Sequence, residues 1–163
     1  MKLGASLQSR RVAVSGRGFT LMELVLTLAV GIIMTVIAVP LVNNVIGTYR
    51  LRSAVASVTG AIQTTRFQAI SAGYAYQVVF DKAAATYQVQ SDPNHTSTFT
   101  NVGSPVPLAS SSIPVVLDTN ATLQFRPSGI VAATVGSTTL NLTYSNKTET
   151  ITVSSYGNIK VTP

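Results

Sequence analysis

The chain has 163 residues, no cysteine and a formal charge of +6. The length suits one modest domain plus an anchor, and the lack of cysteine excludes disulfide staples and thiolate metal sites. Lys2, Arg10, Arg11 and Arg17 all fall before residue 18, leaving seven basic residues against five acidic ones, so the positive charge reports membrane orientation rather than affinity for nucleic acid.

Residues 1–18 form a basic leader without a structural pattern. Next comes Arg17-Gly18-Phe19-Thr20-Leu21-Met22-Glu23, and then residues 24–42, which carry no charge and are nearly all aliphatic. As a helix this run is about 28 Å long, which matches a hydrocarbon core of about 30 Å. An ordinary secretory signal has its apolar region before the cut. Here the apolar region follows Gly18 and would stay. Glu23 is the odd feature, because a carboxylate within a membrane helix costs roughly 2.5–3.5 kcal/mol and marks a functional position.

This stretch resembles the class III signal of type IV pilins and type II secretion pseudopilins. The resemblance implies that a prepilin peptidase cuts after Gly18 and methylates Phe19. It also implies that Glu23 pairs with the α-amino group of a neighbouring subunit's Phe19 during assembly. Pro40 stands where the family usually has a proline. The basic leader favours a cytoplasmic N-terminus; Arg50 and Arg52 weaken that bias without reversing it. The expected location is the bacterial inner membrane, single-pass, with the C-terminal domain periplasmic.

The helix is expected to start near Phe19 and run long, with a kink or local melting at residues 36–40 from the proline. Leu51, Ala54, Val55, Val58, Ala61, Ile62, Thr65 and Ala69 then recur at spacings of three and four, one amphipathic stripe expected to pack on a sheet. Gly73 is in a favourable position to end the helix. Tyr74, Tyr76, Val78 and Phe80 alternate as a strand; residues 81–84 turn; Tyr87 and Val89 alternate in a second strand, completing a hairpin. Residues 91–112, with Pro105, Pro107 and a serine run, read as a long loop. Short strands are expected at 114–117 and around Leu123 and Phe125. Arg126-Pro127-Ser128-Gly129 reads as a turn. Leu140, Leu142 and Tyr144 form the next strand, 145–148 turn, Ile151 and Val153 follow, and Tyr156-Gly157-Asn158 turns into a last strand at 159–161.

Long helix, hairpin, then antiparallel strands give an α+β, type IV pilin-like fold. Its divisions are a leader at 1–18, a transmembrane and assembly half-helix at 19–42, an amphipathic half at 43–73 and a periplasmic antiparallel β domain at 74–163. The later part resembles the GspH/FimT branch of the pseudopilins. Two segments carry the likeness: Thr65-Arg66-Phe67-Gln68-Ala69-Ile70, and Phe125-Arg126-Pro127-Ser128-Gly129 with Val153-Ser154-Ser155-Tyr156-Gly157. Gln68 stands where the family commonly has glutamate.

The sequence gives no sign of an enzyme. His95 is alone in a loop, and Asp81, Asp92, Asp118 and Glu149 are scattered near turns, so no metal cluster or nucleophile triad is read and no cofactor is expected. The resemblance implies a minor pseudopilin of a type II secretion system, a structural subunit near the tip of a periplasmic pseudopilus. Its partners would be other pseudopilins or pilins through the N-terminal helix, the prepilin peptidase and the inner membrane. The alternative is a FimT-like minor pilin for pilus assembly or DNA uptake. There the family's Gly-Arg-x-Arg tail aligns with Gly157-Asn158-Ile159-Lys160, and Lys160, Lys147 and Arg126 are the candidate DNA contacts. A lysine meets phosphate as a point charge and lacks arginine's bidentate fork.

Overall fold

A computed structural model describes residues 18–108 and 115–163. The expected leader, apart from Gly18, and the serine run therefore lie outside the described residues. The chain divides into two compact units, one up to Pro40 and one from Leu41 onward.

Helix α1 spans Leu21–Ala72, with Pro40 inside it. The melting expected at residues 36–40 does not occur. Proline forfeits one backbone hydrogen bond, whereas unwinding would strand several more donors and acceptors among side chains that offer no replacement. In the first unit every described residue is exposed. In the second, α1 buries Gly47, Leu51, Ala54, Val55, Val58, Ile62, Thr65 and Ala69, the expected stripe except that Ala61 is only half-buried. Gly73, at φ +76°, stops the helix, and its N–H donates to Ala69 O. That left-handed conformation suits glycine at a helix end.

Among the described residues nine strands follow: β1 (Ala75–Asp81), β2 (Thr86–Asp92), β3 (Thr100–Pro107), β4 (Val116–Leu117), β5 (Ala121–Phe125), β6 (Val131–Val135), β7 (Thr139–Tyr144), β8 (Lys147–Val153) and β9 (Ile159–Thr162). They form two sheets, ordered β3-β2-β1-β5-β6 and β4-β7-β8-β9, and every pairing is antiparallel. Alternation on β1 turns Tyr76, Val78 and Phe80 inward. Leu123 and Phe125 of β5, Leu140 and Leu142 of β7, and Ile151 and Val153 of β8 join them and the α1 stripe in one core. Each such side chain contributes roughly 1.5–3 kcal/mol by leaving water. The α+β, pilin-like class is as expected.

Three local expectations are corrected. The loop expected at 91–112 contains β3, which pairs with β2, and β2 itself runs on through Ser91 and Asp92. Pro105 and Pro107 suggested a loop, but β3 is an outer strand, where a missing ladder donor is tolerated. The register shifts between Tyr87 and Val89, and Gln88 Nε2 donates to the carbonyls of Val102 and Gly103 across that bulge. Second, β6 was not anticipated. It is the opposite outer strand of the same sheet and buries only Val131. Third, the turn expected at 145–148 is tighter: Tyr144 pairs with Lys147, so only Ser145 and Asn146 lie between the strands.

The remaining loop after β2 is organised by Asp92, which is buried. Its carboxylate accepts the N–H groups of Thr96 at 3.0 Å and Ser97 at 2.8 Å.

Candidate functional site

At the start of α1, Thr20 acts as a cap. Its hydroxyl oxygen accepts the Glu23 N–H at 3.2 Å, and its carbonyl accepts the Leu24 N–H at 3.1 Å. Thr20-Leu21-Met22-Glu23 thus has the spacing of a capping box. Glu23 lies in the first turn, where the helix dipole favours a carboxylate. Gly18, Phe19 and Glu23, the three positions that the N-terminal motif singles out, are all exposed. Glu23 makes no ion pair among the described residues. The same helix is the one described helix long and apolar enough to cross a membrane, and none of its most apolar window is buried.

A second arrangement unites the three later motifs. Arg66 reaches from α1 between two turns, one after β5 and one before β9. Its Nε donates to Gly129 O at 3.1 Å. The Arg126-Pro127-Ser128-Gly129 turn is closed by Gly129 N–H to Arg126 O at 2.8 Å, and the other turn by Gly157 N–H to Ser154 O at 2.8 Å. Val131 N–H also donates to Ser155 O at 2.8 Å, tying the two turns together. A Cβ on Gly157 would lie 2.5 Å from Arg66 Cδ and Nε, so glycine is required for the guanidinium arm to pass. The sequence singled out these segments but gave no hint that they meet. Arg66 is 63 residues from Gly129, and only the fold brings them together.

The candidate DNA contacts are dispersed. Lys147 opens β8, whereas Lys160 on β9 pairs with Thr152 near the other end of β8, roughly 17 Å along the strand. Arg126 is exposed in the turn leaving β5, in the other sheet. Lys147 instead keeps company with Arg50 and Arg52 of α1.

Elsewhere, His95 sits edge-on to Tyr74, ring centroids 6.4 Å apart, and Tyr74 stacks on Tyr76 at 5.2 Å. The hydrogen bond shared with Tyr74, together with burial, holds the proton on the Tyr76 phenol and pushes its pKa above the ordinary value. Among the described residues no three His, Asp or Glu side chains gather where they could hold a metal ion.

Comparison with curated proteins and with solved structures gave no match. A family model described as type II transport protein GspH matches residues 54–157. The match covers well over half of the chain and runs from the buried stripe of α1 through every β element up to the Gly157 turn, taking in Arg66 and both of the turns it joins. On that ground the chain belongs to the GspH family of type II transport proteins, a family of structural pseudopilins.

Proposed function

We propose that this protein is a minor pseudopilin of a type II secretion system, a subunit near the tip of a periplasmic pseudopilus that supports export of folded proteins. Residues 1–18 are its leader, cut after Gly18, and Phe19 becomes the methylated N-terminus. Residues 19–42 anchor it in the inner membrane, N-terminus inward, and later serve assembly. Residues 43–73 carry the packed half of the helix, and residues 74–163 form the periplasmic β domain. The observation that carries this reading is a lone, exposed carboxylate, Glu23, heading an uncharged and unburied helical run in a chain whose remainder matches GspH.

Glu23 is the assembly residue. In apolar surroundings an unpaired carboxylate is costly, and a positive partner offsets the cost. The α-amino group of a neighbour's Phe19 is such a partner, and the pair favours one stagger of subunits over others. Glu23→Ala is expected to insert and lose its leader but to be missing from pseudopilin complexes recovered by pull-down. Normal incorporation of that variant would sink the proposal.

DNA uptake is the competing role. It would draw on Arg126, Lys147 and Lys160, and the separation of Lys147 from Lys160 along β8 argues against one continuous phosphate track. Micromolar DNA binding by the fragment from residue 44, steeply weakened by salt and lost in Lys160→Ala, would overturn this preference.

A further inference from the structure

Just beyond the uncharged run, three cations surround two adjoining clefts. Asn43, Asn44 and Arg50 of α1 and Tyr144 and Lys147 of the β7–β8 hairpin help line the first, of about 640 Å³. Asn44, Tyr49, Arg52 and Lys147 help line the second, of about 400 Å³. Gly47 lets the hairpin close in: a Cβ there would lie 3.1 Å from Tyr144 Cε1.

Two of the cations, Arg50 and Lys147, are held in position by neutral groups. Arg50 Nη1 donates to Tyr144 Oη at 2.9 Å, and its guanidinium carbon is 5.9 Å from the Tyr144 ring centroid. Lys147 Nζ donates to Thr48 Oγ1 at 2.6 Å. Both acceptors are uncharged. Glu149 approaches Arg52 at 4.0 Å, the one ion pair among the described residues. The aspartates are engaged in their own loops: Asp81 accepts the Ala83 and Ala84 N–H groups, Asp92 those of Thr96 and Ser97, and Asp118 takes the Asn141 amide. Three cations therefore face one carboxylate around an open cleft.

We propose that this cleft binds the phosphate of an anionic phospholipid headgroup on the periplasmic leaflet. Three observations favour a lipid. Asn43 is the first polar residue after the run, and Arg50 lies only about 10 Å further along the helix, within reach of the headgroup layer. Tyr49 is 74 % exposed, as the aromatic belt at a membrane interface requires. Positive charge next to a span on the outer side runs against the usual orientation rule, so a local anion gives it a purpose. The phosphate would take Arg50 and Lys147 as donors, while Arg52 contributes at longer range. The contact would hold the subunit at bilayer level until assembly draws it out.

The inference rests on the membrane-anchored reading, and the test separates the two. The detergent-solubilised full chain is titrated with phosphatidylglycerol, phosphatidylcholine and inorganic phosphate, and adducts are counted by native mass spectrometry. Phosphatidylglycerol is expected at one saturable site and is expected to bind about thirty-fold more weakly to the Arg50→Gln/Lys147→Gln variant. Arg50→Lys/Lys147→Arg should retain binding, and Lys82→Gln should leave it unchanged. Equal affinity for phosphatidylcholine, or unchanged affinity in the double Gln variant, overturns the proposal. So does inorganic phosphate that saturates the site as tightly as the lipid, or displacement of the lipid by an acidic pseudopilin partner. A chain that stays soluble without detergent defeats the anchoring reading and this inference together.

Discussion

The contact between Arg66 and Gly157 makes a quantitative prediction. In Gly157→Ala the new Cβ would sit 2.5 Å from Arg66 Cδ and Nε, closer than such atoms approach, so the arginine arm must swing away. It then loses its bond to Gly129 O, worth about 1 kcal/mol for a half-buried donor. Residue 157 also has φ +77°, which costs an alanine roughly 1–2 kcal/mol. Together these give about 2–3 kcal/mol. In urea unfolding of the fragment from residue 44, the midpoint should fall by roughly 1–2 M at unchanged slope. In an Arg66→Ala background the clash is gone, so Gly157→Ala should cost only the backbone contribution. The double-mutant cycle should then show about 1 kcal/mol of coupling. Gly60→Ala is the contrast. Nothing lies within 4 Å of its Cβ, so it should stabilise the helix by roughly 0.5–1 kcal/mol. Strict additivity of Gly157→Ala and Arg66→Ala would refute the reasoning.

Three further outcomes are expected. Ile62 is fully buried, so Ile62→Ala should lose roughly 2–5 kcal/mol in the same unfolding assay; a loss below 1 kcal/mol would mean the stripe is not packed. Gly18→Val should keep its leader, and a mature mass for that variant would place the cut elsewhere. The Tyr76 phenol is raised in the folded chain by Tyr74 and burial, so its contribution is full below the unfolded value of about 10 and is lost as pH climbs past it. Tm should therefore fall more steeply above about pH 10 in the wild type than in Tyr76→Phe, and parallel curves would contradict this.

What the sequence disclosed follows burial. Strands with one face in the core announce themselves by alternation, as Tyr76, Val78 and Phe80 do on β1 and Leu140 and Leu142 on β7. The two unrecognised strands, β3 and β6, are the outer strands of the five-stranded sheet. All of β3 is exposed, so no pattern is imposed on it, and an outer strand accepts prolines that normally signal a loop. The proposed site residues divide in the same way. Gly18, Phe19 and Glu23 lie within one six-residue stretch and are legible as a local motif. The Arg66 contacts and the Arg50–Lys147 cleft join residues far apart in the chain, and no local periodicity encodes them.

Glu23 is legible for two reasons at once, and a substitution can part them. It occupies the third helical position after the Thr20 cap, where Glu or Gln serves equally well in a capping box, and its charge at the helix start is worth only about 0.3–1 kcal/mol. A pairing with a neighbour's amine depends on the charge itself. Glu23→Gln keeps the length, the hydrogen-bonding capacity and the helix start but removes the charge. If capping were the reason for this residue, the Gln variant would assemble like the wild type and only Glu23→Ala would suffer. If charge pairing is the reason, both variants should insert, lose their leaders and be equally absent from the complex, as read by mass spectrometry of the mature chain and by pull-down. A Gln variant that assembles normally would reduce Glu23 to a helix-capping residue and remove the basis for the proposed stagger.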